Sequence, residues 1–426
     1  NTKFVYKNEY KNGFILCTII IDKNIGIYYN NTIETTLKTN KTYNSGGFPN
    51  EKMMKRIAAA TIGMAIVMTS TACSSGTGST TAAPENKETT AVQSAAEEKK
   101  EDPAAAPEET YTLMFGHAQT ETHPYQACFQ EWADAVAEKT NGGLVIDLYP
   151  SNTLGSEEDI INSFKDSDTN WGYNTDFARL GTYVPELAMF NLPYFVETMD
   201  DINAVKELDM VKEWINKLET ENDIKVVSLN LVQGYRNVVA GKPVLKPDDL
   251  KGLTLRCPNT EIWRAAVSSL GCSVQGMGRG DIYNNLVNKV IDGYEDVYPC
   301  IVSESYYEIK NVNTISETHN ILLLNPVVVD AGWFNSLPKE YQDALIETCD
   351  QACNSCSDKM LGEFTEEAKQ KCIDEGMTVI DHSEIDTDAF REAAKASYEQ
   401  LGLTDTYNEI MSALVNNHPE MQLNER

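Results

Sequence analysis

From residue 111 onward, apolar and polar positions alternate in two rhythms. Tyr111 to Phe115 repeats every second residue, as a half-buried strand does, and Tyr125 to Lys139 follows with helical spacing until Asn141-Gly142-Gly143. Leu144 to Tyr149 then alternates again. This strand–helix–strand unit recurs. Asp159 to Phe164 reads as helix, Met199 to Leu218 as a long helical stretch, and Lys225 to Leu231 as an apolar strand. Thr254 to Arg256 predicts a short strand, followed by helices over Ile262 to Leu270 and Asp281 to Asn288. Such alternation points to α/β domains with mainly parallel sheets. Pro338 to Glu375 carries a sustained apolar stripe in which Gly362 is the sole Pro or Gly after the first residue. One helix over that span would reach on the order of 50 Å at about 1.5 Å per residue, so it is expected to bridge two domains.

Composition sets the compartment. At 426 residues and 42% hydrophobic the chain can bury a sizeable core, and its length suggests two or three domains. Residues 1–52 contain no Ala, Arg, Gln, His or Met, a composition that suits translated AT-rich upstream DNA, so translation is expected to begin at Met53 or Met54. Lys55 and Arg56, the apolar run Ile57 to Met68 and the small residues Thr69 to Ala72 then form a secretory signal over 53–72. Cys73 follows directly, as in a bacterial lipoprotein signal, although Ser70 stands where that pattern usually has an aliphatic residue. Residues 73–110 are mostly Ser, Thr, Ala, Glu, Lys and Pro, too polar to offset the entropy of ordering, and are expected to be a disordered tether to the membrane. The net charge of −29 excludes a phosphate-tracking basic surface, so no nucleic-acid partner is expected.

Chemistry-bearing motifs are few. Five His residues are scattered, no hydrolase elbow, zinc-protease helix or phosphate loop occurs, and no enzymatic activity, cofactor or metal is expected. Cys349, Cys353 and Cys356 recur at helical spacing with Leu345, Met360 and Phe364, which reads as an apolar helix face rather than a metal or disulfide framework. What stands out is arginine in short polar insertions: Asp176-Phe177-Ala178-Arg179, Gly234-Tyr235-Arg236-Asn237 and Leu255-Arg256-Cys257-Pro258-Asn259. Arg256 lies at a strand end just before Pro258, where the chain leaves the sheet beside the crevice in which α/β folds bind ligands. A guanidinium donates two parallel hydrogen bonds to a carboxylate. Position alone leaves a surface ion pair equally open.

Asp248-Asp249-Leu250-Lys251-Gly252-Leu253-Thr254-Leu255-Arg256-Cys257-Pro258-Asn259 resembles the signature of the solute-binding proteins of tripartite ATP-independent periplasmic (TRAP) transporters. Leu148-Tyr149-Pro150 with Leu154-Gly155-Ser156-Glu157, Val184-Pro185-Glu186 with Asn191-Leu192-Pro193-Tyr194, and Ile291-Asp292-Gly293-Tyr294-Glu295-Asp296 agree with it. The resemblance covers about Tyr111 to Asn416. It implies a two-lobed periplasmic-binding-protein fold with a long helix bridging both lobes: lobe I from 111–233 and about 327–366, lobe II from 234–326 and about 367–418. It also implies a small organic acid as ligand, a carboxylate anchor at Arg256, a supporting Arg236, and further ligand-side groups at Arg179, Asp176, Asn259 and Glu157. The partner it implies is a TRAP membrane permease; the lipoprotein-like signal implies that the chain is exported and anchored through lipidated Cys73. Two departures stand out: Asp296 replaces the usual Asn, and Gly278-Arg279 replaces an aromatic residue expected to pack on the ligand. Arg279 then either turns outward into solvent, meets the ligand, or pairs with an acid such as Asp296, Asp176 or Asp281. A ligand-binding sensor subunit serving a membrane kinase is the alternative role, since closure on a ligand is the same physics.

Overall fold

The structure, a computed structural model, describes residues 17–22, 26–31, 109–165 and 169–418. The expected signal at 53–72, Cys73 and the tether up to residue 108 lie outside these residues. The chain divides into two units, Asn1–Ala96 and Glu97–Arg426. The first holds an antiparallel hairpin of β1 (Cys17–Asp22) and β2 (Gly26–Asn31), with Ile21 opposite Ile27.

The second unit is α/β and has two lobes, each built on a sheet. In lobe I the strands β3 (Tyr111–Gly116), β4 (Leu144–Tyr149) and β5 (Trp171–Asn174) run parallel, while β12 (Val327–Asp330) lies antiparallel to both β5 and β6 (Ile224–Ser228). In lobe II β8 (Thr254–Cys257), β9 (Ser273–Gly276) and β10 (Gly293–Asp296) are mutually parallel. Beside them β7 (Val232–Ala240) is antiparallel to β10 and to β11 (Thr314–Leu324), and β11 pairs in parallel with β13 (Thr378–Ile380). Both sheets are therefore mixed, which corrects the expectation of mainly parallel ones. The chain crosses from lobe I to lobe II between β6 and β7 and returns between β11 and β12, and each crossing places antiparallel neighbours in a sheet.

Apolar burial follows the division into lobes only in part: two cores belong to one lobe each, and the largest spans both. Leu113, Phe115, Trp132, Val327 and Leu345 pack in one core, and Val239, Tyr294, Tyr298 and Ile301 in another. The largest core is continuous from Phe177 and Leu187 through Leu255 and Trp263 to Phe390 and Ile410 in the C-terminal helices.

The single bridging helix is corrected to two, Lys339–Leu361 and Glu363–Asp374, with Gly362 between them at φ −112°, ψ −110°. The break serves packing: Leu345, Cys349 and Cys353 belong to the lobe I core, whereas Ala368 and Cys372 belong to the lobe II core. The stretch over Met199 to Leu218 likewise divides into Met199–Glu207 and Asp209–Asn222, because Leu208 is extended (φ −63°, ψ 133°) and the second helix starts from it. The strand expected over Lys225 to Leu231 ends at Ser228, whose hydroxyl accepts a hydrogen bond from the Asn230 amide at 3.1 Å and turns the chain before β7. The helix expected from Asp281 begins as a 3₁₀ turn, Arg279–Asp281, and continues over Ile282–Val287. Cys356 on the long helix is disulfide-bonded to Cys128 on the helix Pro124–Lys139, so one of the three helix-face cysteines is a covalent link as well as a core residue.

Candidate ligand cleft

The carboxyl ends of the parallel strands in both lobes open on one cavity of about 230 Å³. In an α/β sheet these ends are where a ligand fits, since the chain must leave the sheet there and its loops are free to carry polar groups. Glu157 opens the helix Glu157–Ser163 that follows β4, and Asp176 and Arg179 come from the short helix after β5. Arg256 lies on β8, Asn259 in the loop behind it, and Arg279 in the turn after β9. Arg236 reaches the cavity from β7. All seven line the cleft, and Asp296 lies behind its wall at the end of β10, fully buried.

The guanidiniums are treated differently. Arg236, 2% exposed, forms a buried fork with Glu295 through Nε and NH2, its NH1 lies 3.4 Å from Asp296, and its guanidinium sits 4.9 Å from the centre of the Trp263 ring. Arg279 NH1 donates to Asp296 Oδ2 at 2.8 Å. The reading of Arg279 as a solvated side chain is thereby corrected: it is largely buried, and although burial disfavours its charge, Asp296 together with Cys300 and Tyr306 more than offsets this and holds it charged. Burial opposes ionisation of Asp296, but Arg279 and Arg236 outweigh it and hold the carboxyl at about 2. Arg179 donates to Glu158 at 3.4 Å and lies 4.0 Å from Glu157. Arg256 differs from these three. It is 4% exposed, its Nε and NH2 donate to the Met277 carbonyl at 3.2 and 3.0 Å, and among the described residues no carboxylate pairs with it. Burial, then the nearby Arg279 and Arg236, pull its pKa down to about 10. A surface ion pair is not what this arginine makes.

Lobe I supplies acceptors. Asp176 caps its helix by accepting from the Arg179 amide at 2.9 Å and takes the Trp263 indole N–H from lobe II at 2.9 Å. Glu157 accepts from the Thr175 hydroxyl, and burial, with Asp176 close by, pushes its pKa up to about 7 against the pull of Arg179. Asn259 accepts from Arg264 at 2.9 Å, which fixes its amide at the rim.

Gln233 was not anticipated. In the β7–β11 register Leu323 faces Gly234 and Leu324 faces Val232, which leaves Gln233 as the extra residue of a β-bulge. Gly234 at φ +122° supplies the backbone conformation that other residues rarely adopt. A bulge re-aims a side chain. Gln233 is 1% exposed, lines the cleft, and its Nε2 has no partner among the described residues. A second, larger cavity of about 370 Å³ lies between Tyr194–Glu197 and the C-terminal helices and shares no lining residue with the cleft. Its Arg391 is already bonded to Glu197 and Asp388, so the cleft remains the better ligand site.

The family model of the bacterial extracellular solute-binding proteins, family 7 (DctP), matches residues 115–405. A solute-binding protein of Chromohalobacter salexigens is 26% identical over 303 residues, covering 71% of this chain and 84% of its own. The 2,3-diketo-L-gulonate-binding periplasmic protein of Escherichia coli is 27% identical over 290 residues, covering 66% of this chain and 84% of its own. Among solved structures, a TRAP periplasmic solute-binding protein of Fusobacterium nucleatum with bound sn-glycerol-3-phosphate superposes with a TM-score of 0.68 at 24% identity, over 74% of this chain and 100% of that one.

Proposed function

The chain belongs to the bacterial extracellular solute-binding proteins of family 7, and from that membership we propose that it captures a small organic acid, anchors its carboxylate on Arg256 and delivers it to a TRAP permease. One observation carries the anchor: a buried guanidinium at the cleft wall that, among the described residues, bonds a carbonyl and no acid. Leaving such a charge unpaired in a closed cleft is costly, and a ligand carboxylate relieves it with two parallel hydrogen bonds. The sugar acid named for the Escherichia coli relative is consistent with this chemistry. The role is capture and release, with no chemical step.

Calorimetric titration tests the anchor. Losing one partner of a buried hydrogen-bonded charge pair costs about 2–5 kcal/mol, and Arg256→Lys, which keeps charge but loses the planar fork, is expected to lose much of that. Near wild-type affinity in Arg256→Lys would place the carboxylate elsewhere. We further propose that Cys73 carries the lipid that holds the exported chain at the membrane. Metabolic labelling with a radioactive fatty acid checks it, since Cys73→Ser should abolish incorporation; a labelled variant would end the proposal.

A further inference from the structure

The cleft brings together four guanidiniums, Arg179, Arg236, Arg256 and Arg279, and five carboxylates lie on its wall or directly behind it: Glu157, Glu158, Asp176, Glu295 and Asp296. Asp296 stands between two of the cations, with Oδ2 2.8 Å from Arg279 NH1 and Oδ1 3.4 Å from Arg236 NH1. Its Oδ1 also accepts from the Val297 amide at 3.0 Å, which locks the carboxylate in place. Glu295 holds the rest of Arg236, and Glu157 and Glu158 flank Arg179. Among the described residues, Arg256 is then the one cleft guanidinium without a carboxylate partner. The remaining unfilled donors suit neutral oxygens. Gln233 Nε2 and Arg179 Nε are buried without a hydrogen-bond partner among the described residues and belong to residues lining this cavity. Across from Arg256's strand, Glu157 and Asp176 offer acceptors that a hydroxyl satisfies and a second carboxylate does not.

Resting on the anchoring of a carboxylate by Arg256, we propose that Asp296 is a specificity-determining residue: by neutralising Arg236 and Arg279 it restricts the cleft to hydroxyl-bearing acids with a single carboxylate. A ligand with a carboxylate at each end brings its second charge against a wall whose other guanidiniums are already paired and whose lobe I side carries three acids, Glu157, Glu158 and Asp176. Like charges brought together in a closing cleft select strongly against the wrong partner. A hydroxymethyl end in the same place donates to Glu157 or Asp176 and accepts from Gln233.

Ligand pairs that differ only at the far end test this on the full chain by calorimetric titration: D-glycerate against tartronate, L-threonate against L-tartrate, and D-galactonate against galactarate. The expected result is that at least one monocarboxylate binds and its dicarboxylate partner binds at least about tenfold more weakly. Asp296→Asn, which releases Arg279, is expected to narrow that ratio by about tenfold. A dicarboxylate bound as tightly as its monocarboxylate partner by the native chain overturns the inference, yet leaves the organic-acid reading standing if Arg256→Lys still loses it. A folded Asp296→Asn protein, checked by circular dichroism, with an unchanged ratio overturns the role of Asp296. Should that variant not fold, the ligand pairs on the native chain still decide the selectivity. Failure of all six acids to bind would overturn both readings.

Discussion

At Glu157 two effects oppose each other: burial and Asp176 disfavour the carboxylate, while Arg179 and the Thr175 hydroxyl favour it, and the balance lifts the pKa from its ordinary 4.5 to about 7. Between these values the folded chain holds a proton that the unfolded chain has released. Stability from this group therefore falls as pH rises through that window. Glu157→Gln keeps an acceptor for Thr175 and cannot ionise, so the variant should lack this slope. Thermal unfolding at pH 5 and pH 8 checks it: wild type is expected to lose more melting temperature than Glu157→Gln across that interval, and parallel curves would show that Glu157 ionises normally. Single residues differed in how far the sequence exposed them. The place of Arg256 at the cleft was legible because the chain must leave the sheet just before Pro258, although position alone left its partner open. Gln233 was not, because its direction depends on a bulge created by pairing with β11, nearly ninety positions along the chain. The Arg279–Asp296 pair was one of several open outcomes, since closing it requires β9 and β10 to lie on either side of β8 in the lobe II sheet, so that the turn after β9 reaches across to the end of β10.

Elements were legible where local pattern governs them and obscure where a distant partner does. Leu144 to Tyr149 matched β4 residue for residue, because its alternation matches a half-buried strand. The break at Gly362 was hidden because Met360, Phe364, Ala368 and Cys372 continue the stripe at every fourth position, even though the core they face changes from lobe I to lobe II. Antiparallel β7, β11 and β12 were hidden for a related reason: strand direction in a sheet follows from how the chain crosses between lobes, which periodicity does not encode. The disulfide between Cys128 and Cys356 joins helices 228 positions apart, so no spacing rule could reveal it. A cross-link closing so long a loop restricts the unfolded chain, and its loss typically costs about 2–5 kcal/mol. Cys128→Ala is therefore expected to lower the unfolding free energy by that amount, read as a lower urea midpoint at unchanged slope, and equilibrium unfolding in reductant should lower wild type to match it. A reductant that leaves the wild-type midpoint unchanged, or lowers the variant equally, would show that this bond does not hold the two helices.

Across the whole molecule the charge of the chain and the charge of its cleft pull in different directions. The chain carries 64 acidic against 35 basic residues, whereas the cleft gathers four guanidiniums, of which Arg256 has no carboxylate partner among the described residues. An anionic ligand approaching from solution meets the summed repulsive field first and the local attraction only at the cleft mouth. Screening separates the two, because the Debye length is about 30 Å at 0.01 M salt and about 8 Å at 0.15 M, shorter than the reach of the distributed surface charge but long compared with a buried contact. Added salt should thus weaken the repulsion more than it weakens the Arg256 anchor. The association rate of an organic acid is expected to rise between 0.01 and 0.15 M salt while its dissociation rate changes little, the reverse of electrostatically steered capture. Stopped-flow fluorescence reads both rates, using the buried Trp263 that borders the cleft. An association rate that falls with salt would mean that the guanidiniums at the cleft project their field past the acidic surface, and that capture is steered rather than resisted.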